Sequence, residues 1–267
     1  MEQSEKKKQL PEAENHPEAG TEEPAEKQAD RAERSRLLFG EEGLKKLADS
    51  TVLVAGVGGV GSFAVEALAR SGIGRLILID KDTVEPSNIN RQLCATLETV
   101  GQIKVDVLKE RIALLNPDCE VITHHCFYDA QMNDVLSEEK PDYILDCIDS
   151  IGSKKDLIRF ALEQNIPIIA SMGMARKKDP SKLEIMEVEK TSYDPIAKII
   201  RTWKRKNRIR SKIMVVSSTE KPVDMKEGQA LPSGIFVPAS AGLMMAGYAV
   251  DQLLKKSGKG KNGQKAS

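Results

Sequence analysis

Cysteine is scarce in this chain and falls into no metal-binding pattern. Cys94, Cys119, Cys126 and Cys147 are the four in 267 residues, and no two form a CxxC pair, which argues against a cysteine-built zinc site. Scattered thiols suit a reducing, cytoplasmic setting. Aromatic residues make up 4% of the chain against 40% hydrophobic residues, so the core must come from Val, Ile, Leu and Ala. Neither sign of charge is in excess. The 40 basic and 40 acidic residues give a formal net charge of zero, which argues against a chain drawn to nucleic acid by its overall field and leaves only local patches. No apolar run approaches the ~20 residues that span a bilayer. The best candidate, "PASAGLMMAGYAV" (238–250), reads as a buried helix with small residues for close packing, and no membrane partner is expected. Branched apolar residues are nearly missing from 1–30, which carries nine acidic residues and four Lys and shows no signal-peptide pattern. Residues 1–30 and the basic end 255–267 are read as disordered tails flanking a domain over 31–254.

What is present is an alternation of strands and helices. "TVLVAG" (51–56), "RLILID" (75–80), "EVITHH" (120–125), "DYILDCID" (142–149) and "IPIIAS" (166–171) have the apolar runs of buried parallel strands. Between them, 62–71, 101–116 and 154–165 have helical spacing. The order predicts an α/β fold: a Rossmann-like, mostly parallel sheet with helices on both faces. Past residue 172 the pattern shifts to shorter strands, "KLEIMEVEK" and "SKIMVVSS", with a helix over 194–210 between them. These predict a C-terminal, partly antiparallel extension at the sheet edge.

Gly56-Val57-Gly58-Gly59-Val60-Gly61 follows the first strand and opens a helix. Gly56, Gly58, Gly59 and Gly61 supply a tight turn, close approach of backbone to phosphate, and close helix–strand packing. Phosphate would rest on free N–H groups at the helix start. Asp80 ends the second strand, where a carboxylate can accept both ribose hydroxyls. This motif alone does not separate a nicotinamide cofactor from ATP. The residues beyond Asp80 do. Asn88 can bond charged oxygens, Arg91 offers a planar fork to phosphate, and Lys104 adds a point charge. Asp149, at the C-terminal end of the fourth strand, can hold Mg²⁺ against phosphates. Each has an ordinary structural reading by itself; their joint occurrence points to a nucleoside triphosphate.

The ordered set GxGGxG, "DxDxVxxSNxNRQ", "VGQxKV" and "DCID" resembles the ubiquitin-activating-enzyme-like adenylyltransferases, the ThiF/MoeB/HesA family. The resemblance implies ATP and Mg²⁺ as cofactors. Asp80 would hold ribose, with Asp82 beside it in the motif; Asn88, Arg91 and Lys104 would contact the triphosphate, and Asp149 would bind magnesium. It also implies a homodimer in which an Arg of the partner reaches the phosphates. Spacing within "RSRLLFG" favours Arg34 for that role, with Arg36 the competitor. Members activate a carboxylate as an acyl-adenylate and release pyrophosphate.

The C-terminal half is similar to the tRNA threonylcarbamoyladenosine dehydratase branch of that family, through "SMGMARKKDPSKLEIMEVEKTSYDPIAKIIRTWKRK" and "PSGIFVPASAGLMMAGYAVDQLL". That implies ATP-dependent dehydration of threonylcarbamoyladenosine in tRNA. The basic run Lys198, Arg201, Lys204, Arg205, Lys206 and Arg208 is then the candidate tRNA surface. The alternative is activation of a ubiquitin-like sulfur carrier, with a sulfur-transfer partner. Against it, no CxxC pair exists and no Cys follows Cys147, which itself reads as core. A nicotinamide oxidoreductase would leave Arg91 and Lys104 unexplained, and a nucleotide-binding scaffold without turnover would leave the polar set unused.

Overall fold

A computed structural model describes residues 31–226, 228 and 231–255. The acidic segment 1–30 and nearly all of 255–267 lie outside the described residues. The exception corrects the expected boundary, since Lys255 still belongs to the last helix and pairs with Asp251. The described residues from Ala32 to Lys255 form one unit.

The apolar runs become strands β1 (Thr51–Ala55), β2 (Arg75–Ile79), β3 (Glu120–His124), β4 (Tyr143–Asp146) and β5 (Ile168–Ser171), all parallel to their neighbours. Two more, β6 (Leu183–Glu187) and β7 (Met214–Ser218), complete the sheet in the order β3-β2-β1-β4-β5-β7-β6. Strand β7 runs parallel to β5, and β6 is antiparallel to β7. The expected partly antiparallel edge extension is therefore present.

Alternation along each strand assigns residues to two cores. Val52, Val54, Leu76 and Leu78 face one cluster, while Leu53, Ala55, Ile77 and Ile79 face the other. The first is covered by helices α1 (Glu33–Ala48), α2 (Gly61–Arg70), α3 (Lys104–Leu115) and α7 (Phe236–Lys255). The second is covered by α4 (Asn133–Glu139), α5 (Ile151–Glu163) and α6 (Pro195–Lys206). Helix α7 crosses the start of α2 so closely that a Cβ on Gly242 would lie 2.2 Å from the Val60 carbonyl oxygen. Small residues thus do what the sequence suggested for this apolar helix. Among the described residues no helix is long and apolar enough to cross a membrane.

Several element ends differ from the sequence pattern for local reasons. Helix α3 starts at Lys104 instead of 101, because Gly101 has φ +88° and Ile103 bridges to Thr83. Strand β4 stops at Asp146, whose carboxylate turns back to accept the Ile148 N–H. Helix α6 ends at Lys206, and Arg208 beyond it is left-handed at φ +53°. The strand order reverses between β1 and β4, the place where open α/β sheets form a crevice at their carboxyl ends.

Candidate active site

Past β1, the chain turns sharply at Gly56, whose φ of +83° favours glycine and whose Cβ would meet the Cys147 carbonyl oxygen at 2.8 Å. Gly61 opens α2 where a Cβ would lie 1.8 Å from the Gly56 carbonyl oxygen. These two glycines are fixed by packing. Gly58 and Gly59, by contrast, present bare backbone to a cavity of about 490 Å³. The Asp80 carboxylate braces the turn, accepting the Val57 N–H at 2.8 Å and the Asp82 N–H at 2.9 Å. It also lines the cavity, and each of its oxygens keeps a lone pair for a hydroxyl.

The segment after β2 forms a single 3-10 turn over Pro86–Asn88. Asn88 closes it, accepting the Glu85 N–H at 3.2 Å and donating to Ser87 at 3.3 Å. Asn88 is buried and does not line the cavity, so the structure gives it a local capping role where a triphosphate contact was expected. Arg91 does reach the cavity, steadied by Nη1 donating to the Ser87 carbonyl and to Asn90 Oδ1, both at 2.8 Å. Its neighbour Gln92 joins it on that wall, a placement the motif did not single out.

Lys104, at the first position of α3, is 4% exposed and still lines the cavity. Its Nζ lies 3.1 Å from Asp82 Oδ2, and Lys81 Nζ lies 3.0 Å from Asp82 Oδ1. Partial burial pushes the Asp82 carboxyl up, but hydrogen bonds and charge from Lys81 and Lys104 outweigh it and hold the group below its ordinary value. Asp149 is exposed at the cavity beyond β4. No group of three His, Cys, Asp or Glu among the described residues could hold a metal alone. A cation at Asp149 would need phosphate oxygens and water to complete its shell, as Mg²⁺ commonly has.

Beneath the Asp149 loop lies a pair that the sequence pattern did not mark. Asp146 and Lys154 are both wholly buried, with Nζ and Oδ2 2.8 Å apart. The contact is an ion pair by distance without hydrogen-bond alignment. Burial raises the Asp146 carboxyl, and Lys154 offsets this only in part. Burial also drives the Cys147 thiol far above its ordinary value. Cys147 packs against the core and also lines the cavity.

The opposite wall comes from the segment after β5. Lys177 and Asp194 are nearly buried there, 3.3 Å apart, and both line the cavity. Asp194 also accepts the Gly173 N–H at 2.9 Å and caps α6 through the Ala197 N–H at 3.0 Å. The sequence signs of this wall are the basic stretch Arg176-Lys177-Lys178 and the family-like run from Ser171 that contains it.

Helix α6 divides the six candidate tRNA residues. Arg201 donates to the carbonyls of Val188 and Thr191, and Lys204 is buried against Glu189. Both therefore hold the turn over Val188–Lys190, a correction to their expected surface role. Lys198, Arg205, Lys206 and Arg208 remain exposed. Trp203 packs in the core with Arg159 5.8 Å over its ring. Arg34 stands exposed on α1, away from this chain's own cavity, whereas Arg36 pairs with Glu41. The cavity thus unites Gly56, Gly58, Gly59, Asp80, Asp82, Arg91, Lys104 and Asp149 and omits Gly61, Asn88, Arg34 and the α6 cations.

The sequence profile of the ThiF family matches residues 32–262. The tRNA threonylcarbamoyladenosine dehydratase of Bacillus subtilis (strain 168) is 46% identical over 238 residues, which span 83% of this chain and 94% of that protein. Its counterpart from Haemophilus influenzae is 33% identical over 238 residues, spanning 82% of this chain and 91% of that one. A crystal structure of Escherichia coli tRNA N6-threonylcarbamoyladenosine dehydratase, TcdA, in complex with ATP matches with a TM-score of 0.79 at 33% identity, covering 85% of this chain and 94% of that chain.

Proposed function

The chain belongs to the ThiF family, and from that premise we propose that it is an ATP-dependent tRNA threonylcarbamoyladenosine dehydratase. The observation that carries the reading is the similarity to the Bacillus dehydratase over 94% of that protein's length.

The reaction class is carboxylate adenylation followed by ring closure. A threonine carboxylate oxygen attacks the α-phosphorus of ATP, an O–P bond forms, and the bond to the β-phosphate breaks as pyrophosphate leaves. A nucleophile of the carbamoyl group then attacks the acyl carbon. The C–O bond to AMP breaks with its electron pair on AMP, and the nucleophile's proton passes to solvent. The oxygen lost as water in the net reaction departs in AMP. Because the second attack is intramolecular, no protein thiolate is needed. This agrees with the burial that raises Cys147 and with the raised thiol of Cys126 at the cavity.

The place of each residue supports a role in these steps. Asp80 accepts the ribose hydroxyls, and the backbone at Gly58 and Gly59 lies against phosphate. Arg91 and Lys104 offset charge that develops on the departing pyrophosphate, with Lys104 held in place by Asp82. Asp149 is the protein ligand for Mg²⁺, which when bound neutralises phosphate charge. The enzyme works as a cytoplasmic homodimer, and Arg34 of the partner subunit completes each site. Two exposed leucines beside Arg34, Leu37 at 85% and Leu38 at 76%, support that arrangement. The exposed α6 cations offer tRNA a basic surface. Neither step consumes sulfur, so a sulfur-transfer partner would have no reacting atom in this site.

Single-turnover incubation with Mg²⁺, ATP and tRNA carrying threonylcarbamoyladenosine tests the reading. ATP-dependent loss of one water from that nucleoside, with equimolar AMP, is the expected result. Pyrophosphate exchange only with a carrier ending in Gly-Gly would instead place the chain among carrier-activating relatives.

A further inference from the structure

A second cavity of about 180 Å³ adjoins the main one and shares Arg176, Lys177 and Ser233 with it. Lys178 and Gly234 also line it. Three consecutive cations therefore stand at one mouth of the active-site cavity, on the wall opposite the glycine turn. Lys177 is neutralised by Asp194 and donates to the Gly173 carbonyl at 2.6 Å. Glu220 accepts the N–H groups of Lys178 and Asp179 at 3.0–3.1 Å, and the Asp179 carboxylate is engaged by the Ser181 N–H and hydroxyl at 2.9 and 2.6 Å. Beside these carboxylates stand the guanidinium of Arg176, at the edge of both cavities, and the exposed ammonium of Lys178.

Arg176 is held with unusual care. Its φ of +65° is left-handed, a conformation that non-glycine residues rarely adopt and that recurs at ligand sites. Three hydrogen bonds impose it. The Arg176 N–H donates to the Pro232 carbonyl, its Nε donates to the Val223 carbonyl, and the Val223 N–H donates to the Arg176 carbonyl, all at 2.8 Å. Asn90, next to Arg91, donates to the Ser233 carbonyl at 2.8 Å and ties this mouth to the phosphate side of the main cavity. The Nη groups of Arg176 have no recorded partner among the described residues.

We infer that this small cavity is a phosphate subsite for the acceptor nucleic acid, taking a backbone phosphate beside the nucleoside whose modified base enters the main cavity. The inference rests on the tRNA reading above and adds to the α6 surface a contact at the cavity mouth, through Arg176–Lys178. A planar guanidinium fixed at Nε and a mobile ammonium suit phosphate oxygens.

The test compares wild-type protein with Lys178→Glu, Arg176→Asn and, on α6, Lys206→Glu. Lys178 is exposed, and Asn tolerates the left-handed backbone at 176. Thermal melting checks that each variant is folded. Three readouts are taken: the KM for modified tRNA and for ATP, inhibition by pyrophosphate, and filter binding of tRNA without ATP across a salt series. For Lys178→Glu we expect about a tenfold weaker tRNA interaction, an unchanged KM for ATP, and a salt slope lower by about 1, as loss of one phosphate contact gives. Lys206→Glu should do less. Unchanged tRNA binding and salt slope in both Lys178→Glu and Arg176→Asn would overturn the subsite. So would an effect confined to inhibition by pyrophosphate, which would make the bound phosphate the leaving group's. If wild-type protein fails to dehydrate tRNA, the functional reading fails, while the binding arm still decides the subsite.

Discussion

The two walls of the cavity solve the same problem, holding buried cations, in different ways. On the glycine-turn wall, Lys104 meets Asp82, a carboxylate 47% exposed that also pairs with Lys81. The pair is open at one side, so its charge is available to a ligand. On the other wall, Lys177 meets Asp194, whose oxygens already accept two backbone N–H groups. That pair fastens the start of α6 to the segment after β5. Asp146–Lys154, beneath the Asp149 loop, is closed completely. A buried Lys–Asp pair is therefore not a functional sign by itself. What matters is whether the carboxylate stays open: Asp82 is half exposed, whereas both Asp194 oxygens are taken by backbone N–H groups.

The closed pair should give the largest effect. Lys154→Met leaves Asp146 buried without its cation and should destabilise the protein by about 3–5 kcal/mol, measured by denaturant unfolding. Asp146→Leu together with Lys154→Met should recover most of that loss. If the single substitution is silent, the pair is not the anchor of the Asp149 loop. The open pair should behave in the opposite sense. Lys104→Ala and Arg91→Ala should each lower single-turnover rates by about 10²-fold or more with a smaller change in melting temperature. Full rates in both would remove the charge-stabilising role assigned to this wall.

A smaller effect tests whether that wall is complete in one chain. Arg34→Ala and Lys104→Ala should each be nearly inactive alone. After subunit exchange, mixed dimers contain one site with Lys104 intact and Arg34 supplied by the partner, so roughly a quarter of the sites should recover. No recovery, with exchange verified by differently tagged subunits, would place Arg34 outside the site.

The glycine-turn wall was far more legible in sequence than its counterpart, for a physical reason. Gly56, Asp80, Arg91, Lys104 and Asp149 all sit at or just beyond ends of regular elements, where periodicity fixes their place. Asn88 had two readings in sequence, because an Asn can close its own turn as readily as face a ligand; here its Oδ1 accepts the Glu85 N–H. Helix α4 left little pattern because it buries Leu136 alone. Helix α1 is interrupted at Gly40 (φ +71°) and exposes Leu37 and Leu38, so it has no continuous apolar stripe to read. The opposite wall depends on contacts such as Arg176 to Val223 and Asn90 to Ser233, which join residues far apart in the chain and have no periodic trace. The charge run on α6 was legible as charge, but its division into structural Arg201 and Lys204 and exposed Arg205 and Lys206 was not.

The smallest effect separates the walls by pH. Cys94 lies under the glycine-turn wall, its Sγ 3.9 Å from the Val57 carbonyl oxygen and 4.0 Å from Gln92 Oε1. Burial pushes its thiol up from 9.0 to about 11, against a smaller lowering by Lys104. A thiol raised on folding stabilises the native state fully below its unfolded value, and that stabilisation is lost as pH climbs through the folded value. Between pH 9 and about 11, wild-type stability should therefore fall more steeply than that of Cys94→Ala, which has no thiol to ionise. In the folded protein the thiolate forms only as pH approaches about 11, where it would face two oxygen acceptors, so nucleotide affinity should weaken at the upper end of that window. Parallel pH curves for the two proteins would show that Cys94 does not titrate with the turn, leaving its burial a matter of packing alone.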